Sequence, residues 1–109
     1  TIGSHSVSHL QLARIAPDRL ARELAESRRT ITERLGVPVR TIAYPYGDTA
    51  PHVAAASRDA GYAAGLTIAG RLVRDRVSPH DLSRVNVPSS MPLSAFAAAA
   101  SGFRIGGGA

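Results

Sequence analysis

The sequence predicts an α/β fold in which helices pack against a short parallel sheet. Helical and extended patterns alternate along the 109 residues, in the order helix, strand, helix, strand, strand, helix. This alternation is typical of chains whose parallel strands are connected by helices. The length allows one domain at most, with a single modest core, and three strands make only a thin sheet.

The first predicted helix covers residues 17–35 and is the longest. Pro17 suits its first turn, because a proline there loses no intrahelical hydrogen bond. Apolar residues at helical spacing form a stripe along this helix, namely Leu20, Leu24, Ile31 and Leu35. Ser27 interrupts the stripe, and Gly36 followed by Pro38 predicts the end of the helix.

The remaining predicted elements are shorter. The run VRTIAYPYG, residues 39–47, indicates a strand that passes into a loop at its proline and glycine. Asp48 or Thr49 is expected to cap a helix that begins at Pro51 and is terminated by Gly61. Two further strands and a last, alanine-rich helix are predicted at residues 62–68, 82–88 and 92–102.

Composition excludes several classes of protein. No apolar run approaches the ~20 residues that a membrane-spanning helix needs. The opening TIGSH has neither the basic nor the apolar block of a signal peptide, so none lies within these residues, and a leader that was removed or omitted would leave the same opening. The chain has no cysteine, so disulfides and thiolate metal ligands are excluded. Its net charge of +5 comes from scattered arginines interleaved with acidic residues. This pattern predicts a solvated charged surface rather than nucleic-acid binding.

Two histidines near the start of the chain are candidate metal ligands. If the chain turns helical from Ser6 onward, His5 and His9 lie one turn apart and can present two imidazoles to one ion, for which zinc is well suited. The alternative is a pair of exposed or capping histidines without a metal. The zinc-protease motif is excluded, because it requires a glutamate directly after the first histidine and Ser6 stands there.

A second candidate site is the segment AYPYG, residues 43–47. A strand that ends in proline and glycine beside two tyrosines forms a stiff loop whose backbone N–H groups can point at a ligand. The alternative is an ordinary corner between strand and loop, in which the tyrosines pack on the core and keep their hydroxyl groups in water.

Taken together and in this order, these segments resemble the polysaccharide deacetylase family, also called the NodB-homology domain or carbohydrate esterase family 4. GSHSVSH, residues 3–9, matches the second motif of that family, H-[ST]-x-x-H, and YPYG matches its third motif. AGY, residues 60–62, matches a shared stretch beyond it. The resemblance predicts a partial deacetylase domain over residues 1–88 and a C-terminal helix with a glycine-rich tail over residues 89–109.

The resemblance implies a fold and an activity. The fold is the later half of a distorted (β/α) barrel, incomplete in this chain. The activity is metal-dependent deacetylation of an N- or O-acetylated polysaccharide, in the cell envelope or outside the cell. His5 and His9 would be metal ligands, most often for zinc, and Tyr46 would place its backbone N–H against the developing oxyanion while Pro45 holds the loop in shape.

The departures from the family pattern carry their own expectations. The first motif, an aspartate pair that supplies the base and the third ligand, has no counterpart, because no two acidic residues are adjacent. We expect it upstream of Thr1, with this chain a fragment that has little activity alone. The alternative is a catalytically silent module that binds carbohydrate or a partner. The general-acid histidine also lacks a match, since His80 is expected in a surface loop and His52 in a first helical turn.

Arg84 is a candidate replacement for a missing arginine. Many relatives carry an arginine two residues before the third-motif proline, where this chain has Ala43. Arg84 lies in a predicted buried strand beside Leu82 and Val85, and a buried arginine requires an anionic partner. We therefore expect its guanidinium at the active-site end of the barrel. The alternative is that it points to the solvent side of an edge strand.

Overall fold

The computed structural model describes residues 1–68 and 78–101 of the chain. The helices are α1, Pro17–Leu35, α2, Pro51–Asp59, and α3, Leu93–Ala100. The strands are β1, Thr41–Ala43, and β2, Ala64–Leu66. Two single turns of 3-10 helix lie at Leu12–Arg14 and Pro45–Gly47. None of the described helices is both long enough and apolar enough to cross a membrane.

Helix α1 has the bounds that its sequence predicts. Gly36 ends it in a left-handed conformation, with φ of 64°, and donates its N–H to the Thr32 carbonyl at 2.9 Å. The face that packs on the core consists of Leu20, Glu23, Leu24 and Ser27. Leu35 was expected on this face but is exposed, because the core stops short of the last turn of α1, where Ile31 is the helix residue that packs at its margin.

The sheet is parallel, as predicted. Strand β1 pairs with β2, with Ile42 opposite Gly65. Single bridges extend the pairing on both sides, from Ser4 to Ile42 and from Leu66 to Leu82, and both are parallel. Four backbone segments therefore lie side by side; α1 connects the Ser4 segment to β1, and α2 connects β1 to β2.

The strand predicted at residues 82–88 is wrong. Leu82 makes two backbone hydrogen bonds with β2, donating to Gly65 and accepting from Thr67. The pairing ends there, and Val85 and Val87 are exposed. An alternating apolar pattern forms a strand only where a neighbouring backbone is available, and residues 83–88 have none among the described parts of the chain.

A compact apolar cluster lies between α1, β1 and α2. Its buried members are Leu12, Leu20, Leu24, Val39, Ile42, Tyr44, Val53 and Tyr62. The Tyr44 hydroxyl donates to the His80 carbonyl at 2.6 Å and lies 3.0 Å from the Ser57 hydroxyl, so the alternative of a tyrosine with a wet hydroxyl is wrong here. Burial raises the pKa of Tyr44 above its usual value of 10.0.

Three smaller expectations can be compared with the structure. Helix α2 has Ala50 at its N-cap rather than Asp48 or Thr49, because the Asp48 carboxylate turns away and accepts the Ala13 N–H at 3.3 Å. His80 is buried rather than in a surface loop, with its Nε2 atom 2.7 Å from the Tyr62 carbonyl. His52 is exposed in the first turn of α2, as expected. The glycine-rich tail lies outside the described residues.

Candidate active site

The segment between the two N-terminal histidines is a loop and does not turn helical. Ser6 and His9 adopt left-handed conformations, with φ of 67° and 57°, which break any helical hydrogen-bond pattern. Serine hydroxyls hold the loop instead. The Ser4 hydroxyl accepts the Ser6 N–H at 3.3 Å, and the Ser6 hydroxyl accepts the His9 N–H at 3.1 Å. The two histidines come together, as their spacing suggested, but in a loop rather than in a helical turn.

Three aromatic rings meet where this loop approaches the 3-10 turn Pro45–Gly47. The ring centres of His5 and His9 are 4.7 Å apart, with an angle of 67° between the planes. The ring centres of His9 and Tyr46 are also 4.7 Å apart, at 72°. All three side chains are exposed, and Tyr46 has 61% of its surface accessible. The cluster is therefore open to a large ligand.

The His5 ring is oriented by the backbone of β1. Its Nδ1 atom lies 2.7 Å from the Ala43 carbonyl oxygen, which can only accept, so Nδ1 carries the proton. The lone pair of Nε2 is then left for a ligand, which is the arrangement of metal-binding histidines. Two imidazoles suit zinc. Within residues 1–68 and 78–101, however, no three histidine, cysteine or acidic side chains gather around one point.

The turn at Tyr46 is wound tightly. Tyr46 has φ of 61° and ψ of 7°, and Gly47 is also left-handed. Gly47 donates its N–H to the Tyr44 carbonyl, and Asp48 donates its N–H to the carbonyl of Pro45, the buried first residue of the turn. The Tyr46 N–H has no acceptor in the described part of the chain, so it is available to a ligand.

Backbone strain is concentrated at these two loops. Among the described residues, the non-glycine residues with positive φ are Ser6, His9 and Tyr46. Each such conformation costs about 1–3 kcal/mol and persists only where the surroundings enforce it. The three strained residues lie around one ring cluster, which is typical of a functional site.

Arg84 is exposed and does not lie on a strand, so the expectation of a buried strand is wrong. Its Nε atom donates to the Thr67 carbonyl at 3.1 Å. Thr67 is buried just after β2, and its hydroxyl donates to the Gly47 carbonyl at 3.1 Å. Arg84 is thus linked through Thr67 to the turn that carries Tyr46.

Two residues near the site were not identified from the sequence. Glu23 is buried on α1 and accepts two hydrogen bonds from Ser8, between the histidines. Its position on the apolar face, one residue before Leu24, is a signal that could have revealed it. Thr67 offered no such signal, because its partner Gly47 is 20 residues away.

The chain is similar to known polysaccharide deacetylases in sequence. A sequence model of the family described as polysaccharide deacetylase matches residues 1–65. YxkH of Bacillus subtilis (strain 168), whose name places it among the polysaccharide deacetylases, is 31% identical over 99 residues. That match covers 90% of this chain and 35% of YxkH, so the chain spans about a third of this relative. The chain belongs to the polysaccharide deacetylase family.

Solved structures show the same fold. The Streptococcus pyogenes deacetylase PplD, determined in complex with acetate, superposes with a TM-score of 0.80 at 22% identity, over 85% of this chain and 41% of that protein. BC0361, a polysaccharide deacetylase from Bacillus cereus, gives 0.76 at 21% identity, over 91% and 31%. The predicted fold class is confirmed: the chain is part of an α/β fold of the NodB-homology type.

Proposed function

We propose that the protein containing this chain removes acetyl groups from an N- or O-acetylated polysaccharide in a metal-dependent hydrolysis. The observation that carries the proposal is the convergence of His5, His9 and Tyr46 on two strained loops. Family membership supplies the reaction class. Two adjacent imidazoles favour a metal, and one of them, His5, has its Nδ1 atom hydrogen-bonded to a backbone carbonyl, as metal-binding histidines have.

His5 and His9 would hold the metal ion, most suitably zinc. A bound zinc ion supplies Lewis-acid polarisation of the acetyl carbonyl and acidifies water. We propose that the third ligand and the general base are carboxylates outside these 109 residues, because the sequence has no adjacent acidic pair. The hydrogen bond to the Ala43 carbonyl uses Nδ1 of His5 and would leave Nε2 as the ligand atom.

Tyr46 would stabilise the charge that develops on the acetyl oxygen. Its N–H is not used by the turn, and a backbone donor held in a fixed direction does not need to reorganise during the reaction. Pro45, which precedes Tyr46 and is buried, would fix that direction. The exposed Tyr46 ring offers an apolar surface for the sugar that carries the acetyl group. We further propose that Arg84 orients the external carboxylate with its terminal guanidinium nitrogens.

The test is acetate release by the gene product that contains these residues. Acetylated chitooligosaccharide tests amide hydrolysis, and acetylated xylan tests ester hydrolysis. We expect a chelator to abolish turnover and added zinc to restore it. His5→Ala or His9→Ala should lower turnover by at least about 100-fold. The matched control is His52→Ala, which alters an exposed histidine on α2. Turnover that survives chelation and both substitutions would contradict the proposal, and polymer binding without acetate release would favour the silent module.

A further inference from the structure

Glu23 is a buried carboxylate that the reaction outlined above does not use. It is 5% exposed on the core face of α1. Its Oε1 atom accepts the Ser8 N–H at 2.8 Å, and its Oε2 atom accepts the Ser8 hydroxyl at 3.1 Å. Among the described residues the ion pair is that of Arg58 with Asp59, so Glu23 has no charged partner there. Its carboxylate is satisfied by Ser8 instead. A buried carboxylate is costly unless it is hydrogen-bonded, so this contact is a strong local constraint.

Ser8 is placed where such a constraint matters. It stands directly before His9, whose backbone is left-handed, and two residues after Ser6, which is also left-handed. Ser8 is exposed, so apolar packing does not hold it in place. Its two hydrogen bonds to Glu23 are the contacts that tie this part of the loop to α1.

The loop is attached to α1 at two points. At its start, the buried Ser4 hydroxyl donates to the Ser27 hydroxyl at 2.8 Å. One helical turn earlier on α1, Glu23 holds Ser8. His5 therefore follows the first attachment and His9 follows the second. The helix fixes the separation of these two attachments, while the Ala43 carbonyl on β1 orients the His5 ring.

We propose that Glu23 is a positioning residue of the metal site, which fixes Ser8 and thereby the spacing of His5 and His9. The inference rests on the proposed function, since it takes the two histidines to be metal ligands. Glu23 acts through hydrogen-bond geometry. A glutamine at this position can keep that geometry, because its oxygen accepts the Ser8 N–H and its amide group donates to the Ser8 hydroxyl.

The experiment measures zinc affinity by calorimetric titration of the gene product and three variants. We expect Glu23→Ala to weaken zinc binding by about 10–100-fold, the usual loss when a residue that orients a ligand is removed. Glu23→Gln should stay within a few-fold of the wild type. Glu26→Ala, on the exposed face of the same helix, is the matched control and should have no effect.

A second measurement keeps the test independent of the metal and of folding defects. In metal-free protein, NMR should show protection of the Ser8 amide from hydrogen exchange in the wild type and in Glu23→Gln. In Glu23→Ala this protection should be lost while the amides in the middle of α1 stay protected, which shows that the variant is folded. Zinc binding by Glu23→Ala equal to that of Glu26→Ala, or a Glu23→Gln variant as weak as Glu23→Ala, would overturn the inference. A wild type that binds no zinc overturns the proposed function instead, while Ser8 protection still reports whether Glu23 holds the loop.

Discussion

Gly47 has a left-handed backbone with φ of 65°, and its α-carbon lies directly against Ile68. A Cβ atom added there would collide with the Ile68 side chain and also approach the Ile68 backbone nitrogen at 3.2 Å. We therefore predict that Gly47→Ala lowers the free energy of unfolding by about 2–4 kcal/mol, combining left-handed strain with overpacking. Denaturant unfolding measures the loss.

Gly36 provides the matched control for this prediction. Its φ of 64° is nearly the same, but no atom lies within 4 Å of an added Cβ. Gly36→Ala should therefore cost only the backbone strain, about 1–2 kcal/mol. Equal losses at Gly36 and Gly47 would show that the contact with Ile68 does not constrain the turn.

The buried hydroxyl of Tyr44 makes stability depend on alkaline pH. Burial raises the Tyr44 pKa, the Ser57 hydrogen bond opposes this, and Asp81 adds to it. Because the folded state favours the neutral phenol, this stabilisation is complete below the unfolded pKa of 10.0 and is lost as pH rises through the higher folded pKa. We predict that the free energy of unfolding falls above pH 10.

Tyr44→Phe tests this origin of the alkaline instability. At neutral pH the substitution should cost about 1–3 kcal/mol, because the His80 carbonyl loses its donor inside the core. Above pH 10 the variant should lose less stability than the wild type does. Tyr46→Phe changes an exposed ring, so its unfolding free energy should vary with pH as that of the wild type does. If the curves for Tyr44→Phe and the wild type instead run parallel above pH 10, the decline belongs to other groups.

Arg84 gives a prediction that separates catalysis from stability. Its side chain is exposed and makes a hydrogen bond to a backbone carbonyl, so Arg84→Ala should cost no more than about 1 kcal/mol of unfolding free energy. If its guanidinium orients a carboxylate in the gene product, turnover should fall at least tenfold. Arg29→Ala, at an exposed position on α1, is the control. A turnover loss no larger than the control's would remove the role proposed for Arg84.

At the scale of elements, the sequence predicts best what local signals determine. Helix α1 begins at a proline and ends at a left-handed glycine, so both bounds follow from residues inside the helix or adjacent to it. The strand expected at residues 82–88 failed because pairing requires a neighbour that the local sequence does not specify. The helical turn from Ser6 onward, on which the pairing of the two histidines was made conditional, does not form, because serine hydroxyls capture the backbone N–H groups of Ser6 and His9.

The candidate site also contains residues that local sequence predicts and residues that it does not. Its histidines and Tyr46 are recognisable because they occur in short motifs. The residues that hold those motifs in place are not, because Glu23 is 15 positions from Ser8 and Thr67 is 20 positions from Gly47. Such pairs form only once the helix and the strand have packed, so they require the structure.

The hydrogen bond that links the end of β2 to the 3-10 turn Pro45–Gly47 can be tested by substituting one side chain, Thr67. Thr67 donates from its buried hydroxyl to the Gly47 carbonyl, so Thr67→Val leaves that carbonyl without its donor at nearly constant volume. We predict a loss of about 1–2 kcal/mol in unfolding free energy and a lower kcat with little change in KM. Thr67→Ser keeps the hydroxyl and should restore kcat. A valine variant with normal kcat would show that the turn needs no support from β2.

At the scale of the whole molecule, parallel backbone pairing extends beyond strands β1 and β2. Single bridges at Ser4 and at Leu82 extend the sheet on either side of β1 and β2. The matched relatives are longer, since the chain covers 35% of YxkH and 41% of PplD. The candidate site lies beside the Ser4 edge, where His5 and His9 follow directly. A ligand supplied by further polypeptide would therefore approach the site from that edge.

This placement leads to a prediction for the 109 residues expressed alone. If His5 and His9 bind zinc as proposed, two imidazoles alone leave the site incomplete, and even the loss of a residue that merely orients a ligand costs about 10–100-fold in affinity. We predict that the isolated chain binds zinc more than about 100-fold more weakly than the gene product carrying the proposed carboxylates, and that it releases no acetate. His9→Ala in the isolated chain should abolish the residual binding measured by calorimetry. Robust metal-dependent acetate release by these residues alone would show instead that the third ligand and the base lie within the chain.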